Sequence, residues 1–102
     1  MQDIIEIGSY TLNFKEYTLE HANGNRQLTE KEALLLKTLA LRINQTVQRD
    51  ILLKSVWGKD DYFTGRSMDV FISRLRKYLG DDDAIKIQSV HGVGLKLVVD
   101  TE

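Results

Sequence analysis

The side chains with the clearest chemical use are the cations of one short segment: Arg66, Arg74, Arg76 and Lys77. Within residues 62–80 they accompany a single acidic residue, Asp69, although the whole chain has a formal net charge of −1. Guanidinium and ammonium groups pair with phosphates, and arginine also matches the acceptor edge of guanine. A cationic segment inside a nearly neutral chain therefore predicts contact with a polyanion along one element, not across the whole surface.

Apolar residues of the same segment recur at the spacing of one helical stripe: Met68, Ile72, Leu75 and Leu79. The opposite face of that helix carries Arg66, Val70, Ser73, Arg74 and Lys77. We predict a helix over residues 65–79 whose apolar stripe is buried. An exposed cationic face suits the major groove of DNA, whose floor displays base edges and whose walls are phosphates. The i−3 spacing also predicts that Asp69 holds Arg66 or a neighbouring donor.

The preceding part of the chain must supply elements that position this helix. Short β-rich runs between turn residues predict a four-stranded antiparallel sheet in residues 2–28, with Asn23-Gly24 as a hairpin turn. Thr29 and Glu32 have the spacing of a capping box. We therefore expect a first helix that begins after Thr29 and ends at about Asn44.

Two further pieces give the pattern of a winged helix-turn-helix. A second helix is predicted over residues 49–56, after a bridge-length strand at residues 46–47, and Trp57 at its end is expected to fill core volume. Residues 84–99 form a predicted hairpin that turns at His91, Gly92, Val93 and Gly94. The glycines permit positive φ and a close backbone approach to a phosphate.

Together these elements predict one α+β domain over residues 1–102. It is a winged helix-turn-helix with an N-terminal four-stranded antiparallel sheet (2–28), a three-helix core (29–80) and a C-terminal β-hairpin wing (84–99). At 102 residues the chain is long enough to bury a single core without disulfides. The second and third helices and the wing would then form one surface.

The composition argues against several other classes of protein. The chain has no cysteine and only two histidines, His21 and His91, without nucleophile–base or metal-ligand spacing, so we expect no enzyme activity, no cofactor and no metal. Its longest apolar run, Ala33–Leu36, is too short to span a bilayer, and no signal peptide precedes the first strand. We expect no membrane partner, and the absence of cysteine suits a reducing compartment.

Four segments of the chain resemble the OmpR/PhoB family of response-regulator output domains. They are the opening of the first helix (Leu28–Glu32), the end of the second helix (Val56–Gly58), the third helix (Arg66–Lys77) and the wing (Ser89–Leu97). The resemblance covers the whole chain and includes the N-terminal sheet. It implies the effector domain of a two-component response regulator, which binds specific double-stranded DNA to control transcription, and it implies a location in the bacterial cytoplasm.

The resemblance implies a role for each exposed residue of this surface. Base edges in the major groove would be read by Val70, Phe71, Ser73 and Arg74. Phosphates would be contacted by Arg66, Ser67, Arg76, Lys77 and Ser89. The wing tip, formed by His91, Gly92, Val93 and Gly94, would meet the backbone and the minor groove. A candidate polymerase-contacting loop comprises Lys59, Asp60, Asp61, Tyr62 and Phe63.

The chain departs from the family pattern at three positions. His91 stands where the wing tip often has arginine, and a histidine is neutral or only partly charged near pH 7. Leu95 replaces a frequent wing tyrosine and so removes a hydroxyl that could contact phosphate. Phe71 replaces a frequent polar residue, which would shift the sequence preference or add packing.

The partners implied by the resemblance are double-stranded DNA with directly repeated half-sites and, as a candidate, RNA polymerase. We expect a monomer in isolation and a tandem dimer on DNA. The family joins this domain to an amino-terminal receiver that is absent here, so the chain is expected to be the effector half of a regulator. The alternative is a winged-helix protein-interaction module whose cationic face binds an acidic partner.

Overall fold

A computed structural model of the chain describes residues 3–58 and 65–100, with side chains from residue 68 onward in the second range. The elements in chain order are β1 (Ile4–Ile7), β2 (Tyr10–Asn13), β3 (Thr18–Glu20), β4 (Arg26–Gln27), α1 (Glu30–Ala40), β5 (Thr46–Gln48), α2 (Arg49–Trp57), α3 (Gly65–Tyr78), β6 (Ile85–Val90) and β7 (Gly94–Val99). The predicted α+β winged-helix arrangement is confirmed. No helix among the described residues is long and apolar enough to cross a membrane.

The N-terminal sheet has the antiparallel order β1-β2-β3-β4. Its register places Ile5 opposite Leu12 and Leu12 opposite Leu19, and all three side chains are buried. Side chains alternate between the two faces of a strand, so one face of this sheet covers the helical core and the other faces solvent.

Helix α1 begins with the predicted capping box. The Thr29 hydroxyl accepts a hydrogen bond from the backbone N–H of Glu32, whose carboxylate accepts one from the backbone N–H of Thr29. The helix ends at the Leu41 cap, several residues before the predicted end at Asn44. Asn44 has φ +64 and exchanges two side-chain hydrogen bonds with the backbone of Val99, so the chain leaves the helix early to align β5 with β7.

The wing is a three-stranded sheet of order β5-β7-β6, one strand more than the predicted hairpin. Gly94 pairs with Gln48 across β5 and β7. A Cβ atom at Gly94 would lie well inside van der Waals contact with the carbonyl oxygen of Val47 and 2.9 Å from Cα of Gln48. This glycine is therefore required for the approach of two backbones, whereas Gly92 provides the positive φ of the turn (+76°).

The predicted apolar stripe of α3 is buried: Met68, Ile72, Leu75 and Leu79 are at most 3% exposed. The turn after α3 is also tied to the N-terminal sheet, because Ser9 Oγ donates a 2.6 Å hydrogen bond to Asp82. That bond is the main reason why the pKa of the Asp82 carboxyl lies below its usual value. These contacts fix α3 on the core and leave its other face outward.

Candidate nucleic-acid interface

The outward face of α3 carries the residues that the helical spacing placed there. Val70, Ser73, Arg74 and Lys77 are exposed, and Val70 is one of the few large apolar side chains at the surface, with 46% exposed. The side chains of Arg66 and Ser67 and the whole loop of residues 59–63, including the candidate polymerase contacts, lie outside the described residues. The exposed face can offer both apolar and cationic groups to a groove.

Arg74 lies at the centre of this face and has a partner from another helix. Its Nη1 lies 3.6 Å from Oε2 of Glu32 on α1, and half of its side chain is exposed. Its guanidinium carbon also lies 5.4 Å from the ring centroid of Phe71, within the range of a cation–π contact. The predicted base-reading arginine is thus oriented by two contacts while remaining open to solvent.

Phe71 lies partly beneath the exposed face instead of on it. The side chain is half-buried, and its ring centroid is 5.5 Å from that of Trp57 with the rings tilted at 54°. Trp57 is itself half-buried against the core, as the sequence indicated. Phe71 therefore adds packing at the junction of α2 and α3, one of the two consequences expected from its departure from the family pattern.

Arg76 and Ser89, two predicted phosphate contacts, are bonded to each other. Nε of Arg76 donates to the carbonyl oxygen of Ile87 at 3.0 Å, and Nη2 donates to Oγ of Ser89 at 3.2 Å. Both residues are exposed. The arginine therefore joins α3 to β6 and holds a cation and a hydroxyl side by side at the base of the wing.

The N-terminus of α2 lies between α3 and the wing tip. Nη2 of Arg49 forms a 3.0 Å ion pair with Asp69 of α3, and the backbone N–H of Arg49 donates to the carbonyl oxygen of Val93. Asp69 thus holds a cation of the neighbouring helix, because tertiary packing brings Arg49 within reach. The other predicted partner, Arg66, has its side chain outside the described residues. Arg49 therefore connects the outward face of α3 to the tip of the wing.

The wing tip projects into solvent from this connection. His91, Gly92 and Val93 are exposed, and a backbone hydrogen bond of 2.9 Å from Val93 to Val90 closes the turn. Gly94, which was grouped with the tip, belongs to β7. Leu95, where the family often has tyrosine, is buried. The tip therefore offers an imidazole, a small glycine backbone and one apolar side chain to a partner.

The contact of this surface that the sequence did not reveal is the ion pair between Glu32 and Arg74. The spacing of Glu32 from Thr29 indicated a cap, and no local pattern indicates an ion pair with a residue of α3. Among the described residues, no group of three or more histidine, cysteine, aspartate or glutamate side chains could hold a metal ion.

Residues 23–97 match the family described as transcriptional regulatory protein, C terminal. The transcriptional regulatory protein RprY of Bacteroides fragilis is 43% identical to the chain over 96 residues, which are 94% of this chain and 41% of that protein. The chain thus spans less than half the length of this relative, although the match includes almost all residues of the chain.

Solved structures are similar over nearly all of the chain. The DNA-binding domain of CpxR from E. coli has a TM-score of 0.82 and 27% sequence identity, and the match covers 96% of this chain and 98% of that one. The DNA-binding domain of RstA from Klebsiella pneumoniae, solved in complex with the RstA box, has a TM-score of 0.76 and 32% identity, covering 95% and 98%. These likenesses support the winged-helix arrangement built above from the elements.

Proposed function

The chain belongs to the family of C-terminal domains of transcriptional regulatory proteins. From its geometry we propose that α3 enters the major groove of DNA and that the wing follows the adjacent minor groove. DNA binding in transcription regulation follows from that membership. The observation that carries the proposed docking is the exposed cationic face of α3, joined to the wing by Arg76 and Ser89.

Within this docking, the residues of the interface have distinct proposed tasks. Val70, Ser73 and Arg74 lie on the outward face and are proposed to meet base edges. Phosphates are the proposed partners of Arg66, Ser67, Arg76, Lys77 and Ser89. Phosphate contacts fix the register of the protein on the duplex, and contacts to base edges supply the sequence preference. Phe71 supports this face from the side through its contacts with Trp57 and Arg74.

Selection of bound duplexes from a random pool, at stated salt concentration, tests the proposed function directly. A sequence-specific DNA-binding domain enriches one sequence, and its affinity falls steeply as salt concentration rises because phosphate contacts release counterions. An interaction module for an acidic protein would bind duplexes weakly and without enrichment. The charge pattern alone fits both functions, whereas the family membership favours DNA.

The partners of the whole regulator extend this proposal. A receiver domain joined to the amino-terminal side, a contact with RNA polymerase through residues 59–63 and a location in the bacterial cytoplasm all agree with the family. Pull-down of RNA polymerase with the chain bound to its selected duplex, compared with an Asp60→Ala and Asp61→Ala double variant, tests the polymerase contact. Equal recovery of polymerase with both proteins would remove that loop from the proposal.

Binding to two directly repeated half-sites is expected to be about tenfold tighter per protein than binding to one. A single module of this size buries only about 600–1,000 Å² of protein surface on DNA, which limits its affinity for one half-site. Head-to-tail pairing of two copies adds protein contacts only when the half-sites point in the same direction. Titration onto duplexes with direct, inverted and single half-sites measures this, and tighter binding to the inverted pair would contradict tandem pairing.

His91→Arg is expected to strengthen binding to DNA severalfold, because residue 91 is at the exposed wing tip. The charge of arginine is permanent, and its planar guanidinium can donate two hydrogen bonds to one phosphate. The measurement is duplex affinity of the variant and the parent at one pH and one salt concentration.

Two histidine variants serve as controls for the wing tip. His91→Gln should give no such gain, because glutamine carries no charge. His21→Gln should leave affinity unchanged, because His21 lies in the N-terminal region near Ser9 and accepts a hydrogen bond from the backbone of Asn23. Equal affinity of the parent protein and His91→Arg would mean that the wing tip stays in solvent.

A further inference from the structure

Glu32 is the one charged or polar residue that is buried among those whose side chains the structure describes, with 3% of its surface exposed. Its carboxylate is held on both sides. Oε1 accepts a 3.0 Å hydrogen bond from the backbone N–H of Thr29, and the hydroxyl of Tyr78 donates to Oε2 at 3.4 Å. The ring of Tyr78 is itself covered by the guanidinium of Arg26 at 4.2 Å. The negative charge of Glu32 therefore has a fixed position behind α3.

Arg74 is the cation that this charge meets. The 3.6 Å separation between Nη1 of Arg74 and Oε2 of Glu32 is an ion pair and is too long for a direct hydrogen bond. The carboxylate thus attracts the guanidinium without using its N–H donors, which stay available to a ligand because half of the Arg74 side chain is exposed. The ring centroid of Phe71 lies 5.4 Å from the guanidinium carbon and restricts the movement of the Arg74 side chain on another side.

The capping box alone does not require a charge at position 32. Glutamine serves as well as glutamate at the third position of a capping box. A buried carboxylate, in contrast, has a desolvation cost that an uncharged amide avoids. The helix dipole favours a negative charge in the first turn of α1, and the same charge also lies beside the guanidinium of Arg74, to which the geometry assigns its further consequence.

We propose that Glu32 is a positioning residue that holds Arg74 for guanine-like base edges and weakens its attraction to phosphates. A neighbouring carboxylate partly neutralises the charge of an arginine and so weakens its attraction to a phosphate. The planar guanidinium can still donate two hydrogen bonds to the two acceptors of one base. Glu32 thereby raises the ratio of specific to non-specific affinity without touching DNA. The proposal rests on the DNA-binding function proposed above.

Glu32→Gln tests the proposal with two duplexes: the best duplex selected from a random pool and a scrambled duplex of the same composition. The ratio of affinity for the selected duplex to affinity for the scrambled duplex is expected to fall roughly fivefold to tenfold. The scrambled duplex should bind more tightly, and its salt slope should rise in magnitude by about 0.9 because Arg74 gains a phosphate contact. Urea unfolding of the variant confirms that the fold is retained.

Three further variants separate positioning from a general change of charge. Glu30→Gln removes the same charge from an exposed position in the same turn of α1, and it should leave the specificity ratio unchanged. In the Arg74→Ala background, Glu32→Gln should also leave the ratio unchanged, because the residue that Glu32 positions is missing. Glu32→Asp keeps the charge but shortens the side chain, and it should lower the ratio without the full increase in salt slope.

The outcomes distinguish this proposal from the function on which it rests. A parent protein that prefers no duplex would overturn both. A selective parent whose ratio is unchanged by Glu32→Gln would overturn the role of Glu32 alone. An equal fall of the ratio in the presence and absence of Arg74, or an equal fall with Glu30→Gln, would also overturn it, since the effect would then come from charge or folding.

Discussion

Gly94→Ala is expected to destabilise the folded chain by about 2–4 kcal/mol, the largest effect on stability among the substitutions considered. The added Cβ would overlap the carbonyl oxygen of Val47 and lie 2.9 Å from Cα of Gln48, and both are backbone atoms of the paired strand β5. Backbone atoms cannot rotate away as the end of a flexible side chain can. Relief therefore requires β7 to separate from β5, which carries the wing away from α2.

Gly92→Ala is the matched control for this prediction. Gly92 lies two residues earlier in the same wing and has φ +76, and a Cβ atom added there would meet no neighbouring side chain or strand within 4 Å. The expected cost is only that of a left-handed conformation for an L-residue, about 1 kcal/mol. Urea unfolding of both variants and the parent at one pH measures the difference. If Gly94→Ala were no more destabilising than Gly92→Ala, the close approach of the two strands would not be a constraint on the fold.

Local patterns in the sequence predicted the faces of the elements correctly. The stripe that includes Met68 and Leu75 is buried because the period of a helix is a property of the helix itself. The capping box of Thr29 and Glu32 was predictable for the same reason, since both partners lie within one turn. The exposure of Val70, like that of the cations on its face, then follows from the burial of the stripe.

Contacts between distant segments were not predictable from these patterns. The early end of α1 depends on the pairing of Asn44 with Val99, which brings β5 into the wing. The partner of Asp69 is Arg49, because the packing of α2 on α3 determines which cation is near. The pairing of Glu32 with Arg74 likewise joins the first and third helices. Each depends on tertiary geometry, and a single sequence carries no periodic signal for it.

Arg74→Ala is expected to reduce affinity for the selected duplex by about 1–3 kcal/mol and to abolish the preference at the base pair that Arg74 contacts. Arg74 lies at the centre of the outward face of α3, with half of its side chain exposed and its guanidinium oriented by Glu32 and Phe71. An oriented fork can donate two hydrogen bonds to one guanine, and alanine can donate none. The measurement is affinity for the selected duplex and for every single-base variant of it.

Lys77→Ala is the control that separates base reading from phosphate binding, because Lys77 is an exposed cation of the same helix. It should weaken selected and scrambled duplexes alike and lower the magnitude of the salt slope by about 0.9. Arg74→Ala should instead weaken the selected duplex far more than the scrambled one. It should also reduce folding stability by about 1–2 kcal/mol, because the buried Glu32 carboxylate loses a cation that water screens only in part. If Arg74→Ala weakened both duplexes equally, Arg74 would be a phosphate contact, and the sequence preference would arise elsewhere on α3 or the wing.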